Sequence, residues 1–442
     1  MTSLLRKAKP IRRVLQNWLC LLFLLLLVTQ SALSQELPTA IPEEVGLSSE
    51  RLERINKVME KHVEQGDIAG VVTLVTRRGK VAHFEAFGMM DMENDKPMRT
   101  DTIFRIASMT KSITSVAVMM LYEEGHFLLS DPVSKYIPEF NNPKVLAPES
   151  DEASDPTSLA TVPAKGEIKI RHLLNHTSGI TYQWNRKLGK TYNEAGVTNG
   201  IVQTDSTIGE KMRVLAGLPL LHHPGEAYEY GLSVDVLGYL VEVVSGMTLD
   251  QFFHKRIFKP LGMRDTHFFI PEEKLPRLAA VYKRVSAGDL KRLPEEPVTE
   301  GTNTYSISYP YQGPQSYFSG GGGLSSTTSD YAQFLRMLLN GGELNGVRLL
   351  SPKTVELMTT NSIGELATGM DFGLGFGIRT ERGLHGELAS NGTYSWGGFF
   401  YTGFGVDPEE EMIYIFMSQL HPTGGLTLGS KFEVLVYQAI VD

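Results

Sequence analysis

Short apolar runs rich in β-branched and aromatic residues sit at both ends of this chain, and helix and loop fill the stretch between them. Residues 70–76 and 81–87 are two such runs. Arg78-Gly79 separates them and predicts a hairpin. Ahead of them, Leu52, Ile55, Val58, Met59 and Val63 recur at helical spacing after a predicted N-cap at Ser48-Ser49. Near the other end, 372–379, 392–395, 399–406 and 412–417 are predicted strands. Asp407-Pro408 punctuates the last pair, and 426–440 carries the period of a closing helix. Strands from both ends need one another as partners. The expected fold is therefore α/β (α+β): an antiparallel sheet flanked by helices, with an inserted, mostly helical region. Residues 35–100 and 330–442 form the expected α/β region, and 101–329 the helical one.

Two stretches of the middle lack a period. Residues 141–166 are rich in Pro, Ser, Asp and Ala and predict a surface excursion. Residues 183–207 predict a loop that shapes a cleft, because long loops in compact domains tend to be functional. No internal repeat is visible.

The first 34 residues predict a secretory signal. Arg6, Lys7, Lys9, Arg12 and Arg13 form a basic start, residues 18–28 an apolar run, and Ser31-Ala32-Leu33-Ser34 a cleavage point. The run is shorter than the roughly 20 residues of a spanning helix. A secreted or periplasmic location follows, with an uncleaved N-terminal anchor as the alternative and no stable membrane partner expected. The whole chain has a net charge of −8, and losing five basic residues makes the remainder more acidic. An acidic surface repels phosphate backbones, which argues against nucleic acid as a partner. Cys20 is the single cysteine and lies within the apolar run, so the remaining chain has neither a disulfide nor a thiol nucleophile.

The chemistry begins at Ser108-Met109-Thr110-Lys111. Ile113, Ala117, Met120 and Leu121 follow on one helical face, which places Ser108 at a helix start. Residues three apart share a face, so the Lys111 amine comes within reach of the Ser108 hydroxyl. A serine hydroxyl is a poor nucleophile until a base takes its proton, and a lysine serves once burial or a neighbouring cation disfavours its ammonium. The helix N-terminus adds partial positive charge where an anion would form.

The segment from Phe104 to Lys111 resembles the active-site segment of class C β-lactamases and their esterase relatives, as does its lead-in (Pro97-Met98, Asp101-Thr102-Ile103). The resemblance covers nearly all of the chain after residue 34. His172-Leu173-Leu174-Asn175-His176-Thr177-Ser178-Gly179 is similar to a loop of that family, and the run from Pro224 to Ser233 to its second catalytic segment. Residues 320–326, Asp330-Tyr331 and Leu338-Leu339-Asn340-Gly341-Gly342 resemble its glycine turn and following helix. Trp396-Gly397-Gly398 resembles the third motif of the family VIII carboxylesterases. The resemblance implies a β-lactamase/transpeptidase-like fold, Ser108 as nucleophile, Lys111 as base and Tyr230 as catalytic tyrosine. It also implies an oxyanion site built from the backbone amides of Ser108 and Phe399.

Two departures bear on substrate. β-Lactamases usually carry Lys-Thr-Gly at the third motif, where the lysine faces a substrate carboxylate; tryptophan offers apolar surface and one indole donor. The family's Tyr-x-Asn is here Tyr230-Gly231-Leu232. Both shift the expected substrate from anionic β-lactams toward neutral short-acyl esters, with an ester or amide small molecule as the partner. Neither a cofactor nor a metal is expected. A Gly-x-Ser-x-Gly elbow is not found: Gly231-Leu232-Ser233-Val234-Asp235 and Thr393-Tyr394-Ser395-Trp396-Gly397 each miss one glycine. His172 and His176 lack the glutamate of a zinc-protease motif, and residues 320–323 lack a following Lys-Ser/Thr pair. Three alternatives stay open: a β-lactamase or D-amino-acid peptidase, an acyltransferase, and an inactive binding protein on the same fold. Oligomeric state is not legible.

Overall fold

The computed structural model describes residues 37–147, 159–367, 369, 371–381 and 388–442. The expected secretory segment and Cys20 lie outside the described residues, as does the centre of the 141–166 excursion. Pro38–Asp442 folds as one unit.

Its main sheet draws on both ends of the chain. In chain order the strands are β1 (Gly70–Arg77), β2 (Lys80–Asp91), β3 (Lys96–Pro97), β4 (Asp371–Phe372), β5 (Gly377–Ile378), β6 (Tyr394–Gly398), β7 (Thr402–Asp407) and β8 (Met412–Ser418). They pair antiparallel in the order β4-β5-β6-β7-β8-β1-β2-β3. The join between the two ends is β1 against β8, with Val75 opposite Tyr414 and Val71 opposite Ser418. Every residue of both strands is buried, so both faces are covered. That explains the continuous apolar, β-branched composition, in place of the alternation of a half-exposed strand.

Helices supply the cover: α1 (Ser49–Glu64), α2 (Thr110–Glu123), α3 (Ser233–Ser245), α4 (Thr328–Leu339) and α5 (Leu428–Tyr437). The Ser48 hydroxyl caps α1 by accepting from the Arg51 amide at 3.3 Å. Leu52, Ile55 and Met59 of α1 join Phe432 and Val436 of α5 over Val71, Val75 and Phe416. On the far side α4 meets the sheet, its Tyr331 ring 5.3 Å from Phe404. Helix α2 is buried continuously from Thr110 to Leu121, its polar Lys111, Ser112, Thr114 and Ser115 included. It packs against α3, and both stand in the helical region beside the sheet.

Two expected strands are corrected. Residues 372–379 form two strands, β4 and β5, because Gly375 takes a positive φ of 96° and Gly373 donates to the Phe376 carbonyl, closing a tight hairpin. Phe399 was expected to open a strand. It lies instead in the turn between β6 and β7, where Tyr401 adopts φ 66°. The Tyr401 hydroxyl pins that turn to the start of α5, donating to Leu426 O at 2.9 Å and accepting from Gly429 N at 3.1 Å.

Candidate active site

Ser108 is placed by a turn that many bonds hold. Ile103–Arg105 pairs with Ser325–Thr327, and the Ile106 amide donates to Leu324 O. The Arg105 guanidinium is fully buried and donates to Ile307 O at 2.6 Å and Ala279 O at 2.8 Å. Gln419 clamps the same residue, accepting from its amide and donating to its carbonyl. Between these anchors Ala107 takes a positive φ of 41°, a strained conformation for a side-chain residue. Such strain costs about 1–3 kcal/mol and persists where the surroundings over-determine it. Ser108 follows in a single 3-10 turn that runs into α2.

One helical turn on, Lys111 is almost fully buried. Its Nζ donates to Ser108 Oγ at 3.2 Å, Tyr182 Oη at 2.9 Å and the Gly321 carbonyl at 2.6 Å. An ammonium has three N–H donors, and three acceptors surround this one. A neutral amine would keep two donors for Tyr182 and Gly321 and turn its lone pair to Ser108. The arrangement therefore suits removal of the Ser108 proton. Gly321 belongs to the glycine turn, which fits only because its glycines lack side chains: a Cβ on Gly321 would lie 2.3 Å from Asp235 Oδ2. Asp235, buried on α3, accepts from Ser319 Oγ at 2.6 Å and holds the turn from below. Burial raises its carboxyl above the usual range. Thr114 Oγ1 donates to Gly320 O at 2.7 Å and ties the turn to α2.

Tyr230 stands across from Ser108, with Lys111 Nζ 4.8 Å from its ring centroid. The direct bond from the amine goes to Tyr182, a residue the sequence reading did not single out. Burial, then Tyr230 and Asp235, push the Tyr182 phenol well above the usual range, so it stays protonated. Behind Tyr230, the His176 ring packs with a centroid separation of 4.8 Å. Burial first, and the Lys111 charge second, hold this imidazole well below the usual range and therefore neutral. His176 lies beyond the short helix Ile170–Leu174 that carries His172.

The third motif forms the other wall. Trp396 lies on β6 with its ring 5.4 Å from Tyr230 and 5.1 Å from Phe372. Gly397 is exposed. A Cβ on Gly398 would come within 2.4 Å of the Ile106 carbonyl, so this glycine lets β6 lie against the Ser108 turn. Phe399 follows, and Ser108 and Phe399 line one cleft of about 560 Å³ with Trp184, Tyr230, Glu300, Asn303, Trp396, Gly397 and His421. The Phe399 ring stacks on His421 at 3.6 Å, and His421 Nδ1 donates to the Phe399 carbonyl at 3.2 Å.

The structure thus brings Ser108, Lys111, Tyr230, Trp396, Gly397, Gly398 and Phe399 together. Of the 183–207 stretch, Trp184 reaches the cleft, stacked on Tyr182 at 4.1 Å. Glu300 and Asn303 come from the hairpin of Val298–Glu300 and Asn303–Tyr305, which has no long apolar run to announce it. Tyr182 carried a weak signal: it lies three residues past the His176–Gly179 motif, in the segment that approaches the site.

Comparison with known proteins bears on the fold that carries this site. The Beta-lactamase family profile matches residues 55–435. Protein Rv1367c of Mycobacterium tuberculosis is 34% identical over 81% of this chain and 88% of its own length. Esterase EstB of Burkholderia gladioli is 30% identical, covering 80% of this chain and 86% of the esterase. Among solved structures, EstCE1, described as a hydrolase with promiscuous acyltransferase activity, superposes with a TM-score of 0.76 at 28% identity, over 88% of this chain and 99% of its own. The fold is that of the β-lactamases and transpeptidases, a large antiparallel sheet flanked by helices, and the chain belongs to the Beta-lactamase family.

Proposed function

We propose that this protein hydrolyses neutral carboxylic esters with short acyl groups through an acyl-enzyme on Ser108. The observation that carries the reading is the wall of the cleft. Trp396 stands in the third motif, and no lysine or arginine lines the cleft among the described residues. A substrate carboxylate would be desolvated there without a cation to meet it, at a cost of several kcal/mol. An ester carbonyl needs only apolar surroundings and donors for its oxyanion.

In the proposed mechanism Ser108 Oγ attacks the carbonyl carbon while its proton passes to Lys111. The oxyanion takes the amides of Ser108 and Phe399; one such donor is worth about 2.7–4 kcal/mol in related chemistry. The carbon–oxygen bond to the alcohol breaks, and that oxygen leaves with a proton relayed through Tyr230. Water, deprotonated along the same route, then attacks the acyl-enzyme and releases the acid and Ser108. The similarity to Esterase EstB supports the reading. The test compares p-nitrophenyl acetate and butyrate with a chromogenic cephalosporin and a D-alanyl-D-alanine peptide, with Ser108→Ala as control. Faster turnover of the cephalosporin or the peptide overturns it, as does failure of a fluorophosphonate to label Ser108.

Acyl transfer is a second reading, favoured by the likeness to EstCE1. An added alcohol that is converted to a new ester at the expense of free acid would support it. The proposal includes export: residues 1–34 act as a secretory signal and the protein works outside the cytoplasm. The N-terminal sequence of the protein recovered from its native host tests this.

A further inference from the structure

Among the described residues that line the cleft, one carries a full charge, and that charge is negative. Glu300 closes one end beside Asn303 and His421. Its Oε1 accepts from the Tyr305 hydroxyl at 3.1 Å, which fixes the carboxylate against the aromatic floor. Among the described residues, the one basic group within ion-pair distance is His421, whose Nε2 lies 3.7 Å from Oε2. Burial lowers the His421 imidazole below its ordinary range, so it stays neutral near pH 7 and leaves the Glu300 charge uncompensated. The rings of Trp184, which is 47% exposed, Tyr230, Trp396 and Phe399 line the same cleft. A carboxylate in a cleft lined by tryptophan, tyrosine and phenylalanine rings attracts an ammonium group, through charge and, where a ring face is presented, through its quadrupole. A carboxylate substrate meets repulsion at the same place.

We infer that the cleft selects esters bearing a cationic group, an alkylammonium on the acyl or the alcohol part, which Glu300 and the rings of Trp184 and Trp396 receive. This rests on the reading of Ser108 as an esterase nucleophile and extends its substrate class from neutral esters to cationic ones, which it places first. Glu300 is 47% exposed at its side chain, so solvent and salt weaken the attraction.

Two isosteric pairs test it. Acetylthiocholine is compared with the thioester in which carbon replaces its quaternary nitrogen. The p-nitrophenyl ester of trimethylammoniobutyrate is compared with its own carbon isostere. The expected kcat/KM for the charged member of at least one pair exceeds that of the neutral member by about tenfold at low ionic strength, and the ratio falls as salt rises. In Glu300→Gln the ratio drops to about two or below, since only the ring faces remain. In Trp184→Leu it drops part way. Each ratio is internal to one protein, so a general loss of activity in a variant does not move it. Equal or slower turnover of both charged members by the wild type overturns the inference and leaves the esterase reading standing. A preference that survives Glu300→Gln undiminished overturns it too. Turnover of none of the four esters overturns both.

Discussion

The Ser108 turn and the rim of its cleft are neighbours built on opposite principles. The turn is buried and multiply bonded: Arg105, Gln419, Leu324 and Tyr331 hold its backbone, and the Lys111 amine has an acceptor for each donor. The rim draws on residues far apart in the chain, Trp184, Glu300, Asn303 and His421, and its Trp184 ring is 47% exposed. Position matters to within a fraction of an ångström where bonds form and break, whereas recognition of a substrate body tolerates more play. The contrast teaches that substitutions in the turn should abolish turnover, and substitutions in the rim should redistribute it among substrates.

The largest effect expected is on Ser108→Ala, with kcat on a p-nitrophenyl ester falling by about 10³-fold or more while Tm stays within a few degrees. A smaller loss, read by steady-state kinetics, would mean that another group carries the chemistry. Gly398→Ala comes next. Its Cβ would press on the Ile106 carbonyl and on Thr402 Oγ1. Moving β6 off the Ser108 turn by such an amount costs about 10²-fold in kcat. A crystal structure of the variant would show the displacement.

Tyr182→Phe removes one acceptor of the Lys111 amine without making a large cavity. We expect kcat to fall by about 10-fold or more and stability by about 1–3 kcal/mol, the cost of leaving a buried donor unmatched. Denaturant melts and the pH profile of kcat check the two halves, and an unchanged profile would reduce Tyr182 to packing. At the rim, Trp184→Ala should alter KM several-fold while stability moves by about 0.5 kcal/mol or less, because the ring is half exposed.

The last effect reads the buried titratable groups, by pH. Burial lowers His83, His172 and His267 to about 4. The unfolded chain takes up protons at these imidazoles below about 6.5 while the folded one refuses them down to about 4, so stability is full above that window and declines as pH falls through it. Asp330, raised to about 6 by burial, acts in the opposite sense, stabilising at low pH and losing that contribution as pH rises through 6. His176 and His421, also lowered by burial, act with the three imidazoles, and Asp235, also raised, acts with Asp330; the imidazoles outnumber the carboxyls and predict a lower Tm at pH 5 than at pH 7.5 by calorimetry.

The parts of this contrast differ in how far sequence reveals them. The sheet could be read because β1 and β8 are buried on both faces and so carry unbroken β-branched and aromatic runs. The Ser108–Lys111 approach could be read because a helix makes a three-residue spacing a spatial contact. Tyr182 could be read only weakly, since it reaches Lys111 across 71 positions of chain. Glu300 and Asn303 could not, since three-residue strands in a polar stretch give no period. The turn at Phe399 was read as strand because its aromatic residues have strand propensity. What overrides that propensity is Tyr401, held in a left-handed conformation by bonds to Leu426 and Gly429.

The pairing of β1 with β8 also has a consequence for biogenesis. The strand that emerges early in synthesis waits for a partner more than three hundred residues downstream, with Val71 meeting Ser418 and Arg77 meeting Met412. Until the ribosome has translated those last strands, the central layer has no complete hydrogen-bonded interior, and a nascent chain halted before Met412 exposes the edge of β1 to aggregation. Closure of the sheet therefore waits until Met412–Ser418 has been made, and products cut short before it should go to proteases rather than persist as partial folds.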